Sequence, residues 1–133
     1  MEKTFIPDGY QTVMPYIIVK GADKFMDFMK NVFNAKEKMT HRNENGGIRH
    51  AEVFIGESVI MFADAIDGWP PMTGGFYIHV ADADAIFQKA LANGAVSVME
   101  PADKEYGRSG GVTDPLGNTW WITATKEEDL KSK

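Results

Sequence analysis

Two rhythms of hydrophobic residues run through the chain, and each occurs twice. Tyr16-Ile-Ile-Val19 is a short aromatic and β-branched run ended by a turn signal, the pattern of a strand. Phe25, Met26, Met29, Val32 and Phe33 then return at helical spacing and make one apolar stripe. Asp23 stands where a side-chain oxygen can cap the free N–H groups of that helix. The same order resumes at Tyr77-Ile-His-Val80, followed by a stripe of Ile86, Phe87, Ala90 and Leu91. Here Asp82 or Asp84 offers the cap. Asn93-Gly94 supplies the stop, because glycine tolerates the left-handed conformation that ends helices.

Three further strands are expected after each helix. In the first half they are Lys36–His41, Ile48–Ile55 and Ser58–Ala63, the last two joined by the two-residue loop Gly56-Glu57. In the second half they are Ala95–Glu100, Gly110–Thr113 and Asn118–Thr123. Asp114-Pro-Leu-Gly-Asn118 places Pro and Gly where a turn wants them. Tyr16–Phe25 and Tyr77–Ile86 share Tyr, Ile, Val, Ala and Asp in place, so two degenerate copies of about 60 residues fill the chain. The expected organisation is one domain, with module one over about 10–67, module two over about 74–126 and a charged, frayed tail over 127–133. Asp67–Gly75 is the hinge, in which Trp69-Pro70-Pro71 is expected to pack as a linker.

Composition narrows the partners. The 133 residues are 44% hydrophobic and 25% charged, enough for an ordinary packed core. The balance of 14 basic against 19 acidic residues, a net charge of −5, argues against a nucleic-acid backbone as partner, since phosphates need a basic footprint. With no cysteine there is no disulfide, no thiolate zinc site and no cysteine nucleophile, which fits a cytoplasmic protein. Met1–Gly9 lacks the apolar core of a signal peptide, and no run approaches the roughly 20 apolar residues of a membrane helix, so no membrane association is expected. No Ser/His/Asp arrangement, phosphate loop or dinucleotide fingerprint is present. The Gly46-Gly47 and Gly74-Gly75 pairs lack the strand-to-helix setting such loops need.

Several motifs, taken in order, resemble the vicinal-oxygen-chelate superfamily of glyoxalases, bleomycin resistance proteins and dioxygenases. Asp114-Pro115-Leu116-Gly117-Asn118 before an aromatic strand is similar to the Asp-Pro-x-Gly-Asn turn near the end of those proteins. Ala22–Ala35, ending in Phe33-Asn34-Ala35, is similar to their first helix. Pro15-Tyr16, together with His50-Ala51-Glu52 before a hairpin, resembles the phosphonate-operon branch, sometimes labelled demethylubiquinone-methyltransferase-like. The resemblance spans roughly Thr12 to Ala124. It implies an α+β fold of two tandem βαβββ modules, a curved, barrel-like mixed sheet with helices on the convex side and a ligand cavity between the paired sheets. Period-two alternation then turns Met14, Tyr16 and Ile18, His50, Glu52 and Phe54, and Val59, Met61 and Ala63 toward the cavity. In module two it turns Gly75, Tyr77 and His79, with Thr119, Trp121 and Thr123, the same way. A one-residue bulge would invert any of these assignments.

Metal-dependent members of the superfamily place His or Glu at four strand positions, which by this resemblance fall at Met14, Met61 (or Ile60), Gly75 and Trp121. None is a ligand for zinc, nickel or iron, so no metal cofactor is expected at that site. The rival is an improvised divalent-metal site from His50, Glu52 and His79, a reasonable donor set if the three converge. His50 is otherwise a general base or ligand hydrogen-bonder, or is simply bonded to Glu52 or a carbonyl; His79 carries the same choice more weakly, and Glu52 is otherwise a plain salt-bridge or surface residue. Tyr16, Met61, Tyr77 and Trp121 offer a flat, largely apolar platform, or core. Arg108, expected on a loop near the cavity mouth, would clamp an anion or stay solvated.

The resulting expectation is a homodimeric small-molecule-binding protein with a degenerate metal site, drug sequestration of the bleomycin-resistance kind being its best-defined version. An acidic chain with an aromatic cavity suits a cationic planar ligand. The alternative is a lyase, isomerase, dioxygenase or thiol transferase of the same superfamily using His50, Glu52 and His79. A non-catalytic interaction module is the third.

Overall fold

Burial of every second residue defines the first strand: in Tyr16–Val19 (β1), Ile17 and Val19 are buried while Tyr16 and Ile18 are not. The computed structural model describes residues 3–131. After β1 come α1 (Ala22–Phe33), β2 (Lys36–Arg42), β3 (Ile48–Ile55) and β4 (Ser58–Asp64). The series repeats as β5 (Gly75–His79), α2 (Ala83–Ala92), β6 (Val96–Lys104), β7 (Gly107–Thr113) and β8 (Thr119–Ala124), with a short α3 (Glu127–Lys131) after it. Each βαβββ module has its own four-stranded mixed sheet, in the orders β1-β4-β3-β2 and β5-β8-β7-β6. The first strand of each module runs parallel to its neighbour, and the other pairs are antiparallel.

The Gly56-Glu57 loop sets Ile55 opposite Ser58, and period two then carries Glu52 to Met61, the register expected from a two-residue hairpin. Phe25, Met26, Phe28, Met29, Val32 and Phe33 of α1 are buried, as are Ala83, Phe87 and Ala90 of α2. Both helices feed a single apolar core. The modules meet through it: the Phe33 ring lies 4.5 Å from Trp120, which stacks on Phe76 at 4.2 Å. Each large side chain so buried contributes about 1.5–3 kcal/mol.

Three local expectations are corrected. Asp23 does not cap α1; it pairs with Arg42 at 2.9 Å. The cap comes from Asp64 at the end of β4, whose Oδ1 accepts the N–H groups of Gly21 (3.3 Å) and Ala22 (2.8 Å) while Oδ2 accepts that of Ile48 (2.7 Å). β6 continues past Pro101 to Lys104, because an edge strand broken by register shifts tolerates a residue that cannot donate. The charged tail is helical over 127–131 and opens with Lys126 N–H donating to Asp129 (2.8 Å), while 132–133 lie outside the described residues.

Candidate binding site on the open sheet faces

Because the modules join on their helix sides, the opposite face of each sheet is left open. On the first, Tyr16 and Ile18 of β1 lie beside Met61 and Ala63 of β4, and Glu52 of β3 beside Met61. Glu52 is only 3% exposed, so its charge needs partners. It has three. His50 Nε2 lies 2.7 Å from one carboxylate oxygen, the Tyr10 hydroxyl donates to the other at 2.6 Å, and Lys38 Nζ stands at 3.6 Å. Lys38 also donates to the Tyr10 oxygen at 2.9 Å, and Tyr16 Oη lies 3.0 Å from His50 Nδ1. Burial raises the Glu52 pKa, but the hydrogen bonds from His50 and Tyr10 and the Lys38 charge outweigh it and hold the carboxyl below its ordinary value. A carboxylate on Nε2 leaves Nδ1 of a neutral imidazole as the acceptor of the Tyr16 hydroxyl.

Bulges decide who reaches this face. The β2–β3 register jumps between Glu37 and Met39, which makes Lys38 an inserted residue. It jumps again between His41 and Arg42, opposite His50 and Ile48, which inserts Arg49. Ile48 is thus buried with the helix-side residues, while Arg49 turns with His50 to the open side. Neither insertion has a signature in the sequence, nor has the reach of Tyr10 from an aperiodic segment.

The second face is flatter and more apolar. Tyr77 of β5 sits opposite Trp121 of β8, and Tyr77 and His79 have ring centroids 5.2 Å apart. A Cβ on Gly111 would fall 2.5 Å from the Trp121 ring, so the bare backbone there is what lets the indole lie across β7. Val98, itself inserted between Ser97 and Met99 in the pairing with β7, borders the same spot. Ser109 and Thr123 are buried, their hydroxyls 2.8 Å apart.

His50, Glu52, Tyr16 and Met61 are therefore together, as are Tyr77, His79 and Trp121, but the two groups sit on separate faces that do not close on one another within one chain. Tyr16 lines a cavity of about 520 Å³ with the linker, and Tyr77 and His79 line another of about 560 Å³ at the module seam. His79 does not join His50 and Glu52: among the described residues no three His, Cys, Asp or Glu side chains form a group that could hold a metal ion. Arg108 lies in β7 rather than on a loop, and on the helix side. Its guanidinium is held by Asp84 (2.7 Å) and Asp103 (3.2 Å), which raise its pKa above the ordinary value. The Trp69 linker is not packed away. Ile66 and Trp69 bridge each other, Met72 bridges Ile18, and all three linker side chains are exposed.

This topology has a counterpart in sequence. Residues 10–122 match the Glyoxalase/Bleomycin resistance protein/Dioxygenase superfamily. The chain belongs to that superfamily. An uncharacterized protein of Mycobacterium bovis is 31% identical over 121 residues, covering 80% of this chain and 78% of the relative. A PhnB protein from Bacillus cereus has the same fold, with a TM-score of 0.69 at 16% identity over 86% of this chain and 100% of that one. So has TnmS3, an antibiotic binding protein from Streptomyces sp. CB03234, with a TM-score of 0.68 at 18% identity over 88% and 100% of the two chains. The positions at which the resemblance implies metal ligands are Met14, Met61 (or Ile60), Gly75 and Trp121. Thioether or aliphatic side chains, a bare backbone and an indole spread over Gly111 do not fit a divalent cation. Among the described residues no helix is long and apolar enough to cross a membrane.

Proposed function

We propose that this superfamily member binds a small organic molecule on its open sheet faces, and that a second copy of the chain closes over it. One observation carries the reading: Tyr16 (43% exposed), Tyr77 (52%), Trp121 (38%) and Val98 (51%) stand in solvent on faces where sheets normally find cover. Aromatic and aliphatic walls with a few fixed polar groups are how small-molecule sites are built. TnmS3, a binding protein of the same fold, is in keeping with this. Pro15-Tyr16 and His50-Ala51-Glu52 support a reading of the chain as a member of the phosphonate-operon branch, and the lack of cysteine fits a cytoplasmic setting. A thermal-shift screen of drug-like and metabolite compounds tests the reading. Hits are expected to lose their stabilising shift in Trp121→Ala and Tyr77→Ala; hits whose shifts survive both substitutions would refute it.

An enzyme is the second reading, favoured by the Glu52–His50–Tyr16 chain, in which a carboxylate orients an imidazole toward the surface. A hit carrying an acidic C–H, incubated in D2O, should then exchange that proton with the wild type and not with His50→Gln. No exchange with either protein leaves binding alone.

A further inference from the structure

Next to the Glu52 network lies the cavity of about 520 Å³ formed by Tyr16, Ile18, Ala63, Ile66, Trp69 and Met72. Its size is that of a small-ligand pocket, and its walls are apolar. Two acidic groups are near it, and neither is free to receive a ligand. Asp64 spends both oxygens on the backbone N–H groups of Gly21, Ala22 and Ile48, and Glu52 is occupied by Tyr10, His50 and Lys38. The cation is in the opposite condition. Arg49 also lines this cavity, and among the described residues its guanidinium has no hydrogen-bond or ion-pair partner. The other arginines, Arg42 and Arg108, are each held by carboxylates. The bulge that inserts Arg49 into β3 aims it at the open face instead of leaving it beside the buried Ile48. Asn43, whose side-chain amide is likewise unpartnered among the described residues, stands at the same rim.

We propose that this cavity is a subsite for a small organic carboxylate with a flat apolar body. The carboxylate is held by Arg49, with Asn43 beside it, and the body lies between Tyr16, Ile18 and the linker residues Ile66, Trp69 and Met72. A planar guanidinium pairs with a carboxylate through two parallel N–H···O bonds, which fixes orientation as well as charge. Recognition at this point is anionic although the chain as a whole carries −5. The cationic ligand suggested by overall charge is thereby replaced locally by its opposite.

The assignment rests on the open faces being a binding surface, and the test separates the two. Isothermal titration compares 2-naphthoate, 2-naphthamide and 2-naphthylmethylammonium on the wild type, Arg49→Met and Arg49→Glu, with thermal melts confirming that both variants fold. The wild type is expected to bind naphthoate about tenfold or more tighter than the amide, the worth of one charge-assisted hydrogen-bonded pair. Arg49→Met should bring naphthoate down to the amide, and Arg49→Glu should turn the preference toward the ammonium. Equal binding of naphthoate and amide by the wild type, or a carboxylate preference that survives Arg49→Met, overturns the subsite while leaving open-face binding standing. Failure of all three compounds to bind at millimolar concentration also overturns it, whatever the Trp121 and Tyr77 variants do in the ligand screen.

Discussion

Glu52 carries a charge in a place where water scarcely reaches, and its neighbours are arranged around that fact. Because its folded pKa is held down, Glu52 contributes stability that is fully present above the ordinary carboxyl value of 4.5 and is lost as the pH falls through the lower folded value. Glu52→Gln should therefore cost about 1–3 kcal/mol at neutral pH, the range for disrupting a buried hydrogen-bonded group. Urea unfolding of both proteins at about pH 7 and about pH 3 checks this. The gap should narrow in acid, and an equal gap at both values would refute the role given to the charge. His50 and Glu52 were legible in the sequence because alternation along Ile48–Ile55 depends on one strand alone. Lys38 and Arg49 were not, because an insertion exists only relative to the strand it pairs with. Arg108 was misplaced for a related reason: the strands expected to stop at Glu100 and resume at Gly110 are carried by their pairing to Lys104 and back from Gly107, which leaves little loop between them.

At the scale of elements, the start of α1 depends on a side chain from another part of the module. Gly21, at φ +112, takes a conformation open to few side chains, and Asp64 then reaches the N–H groups that follow. The same carboxylate anchors the first residue of β3, so one residue ties a helix, a strand start and a strand end together. Asp64→Ala should cost about 2 kcal/mol, at the upper end for a lost helix cap. Asp23→Ala, which removes only an exposed pair with Arg42, should cost about 0–1 kcal/mol. Denaturant midpoints rank the two, and a larger loss for Asp23→Ala would contradict the assignment. Helices α1 and α2 and the succession of strands along each module could be read from periodicity and turn chemistry, while the arrangement of those strands in a sheet was implied by the family resemblance. The α1 cap could not, since a cap normally sits beside its helix in sequence, and the oxygen used here arrives from 42 residues away. Within the second module Asp114 plays a comparable part, accepting from Leu116, Asn118 and the Trp120 indole.

For the whole molecule, the two modules share a topology and differ in what they present. The insertion at Lys38 in β2 has its counterpart at Val98 in β6, so one position in the repeat gives a cation on the first face and a methyl surface on the second. If the first face of one copy meets the second face of another, a bound molecule lies between a polar wall and a flat one. Light scattering after gel filtration should give the mass of two chains for the wild type and of one for Tyr77→Lys combined with Val98→Lys; a monomeric wild type would refute closure by a second copy. The repeat itself was legible from Tyr16–Phe25 and Tyr77–Ile86. The outward turn of both faces was not, because it follows from Phe33 meeting Trp120 across the seam, a contact between residues far apart in the chain. The broken registers have one more effect. β2 and β6 are outer strands, each with a row of backbone groups that a passing chain could use to extend the sheet. The extra residue, Lys38 in β2 and Val98 in β6, kinks that row and denies it a long straight partner. The inserted residues thereby also guard against edge-to-edge pairing, and deleting Lys38 or Val98 to regularise a strand is expected to lower solubility.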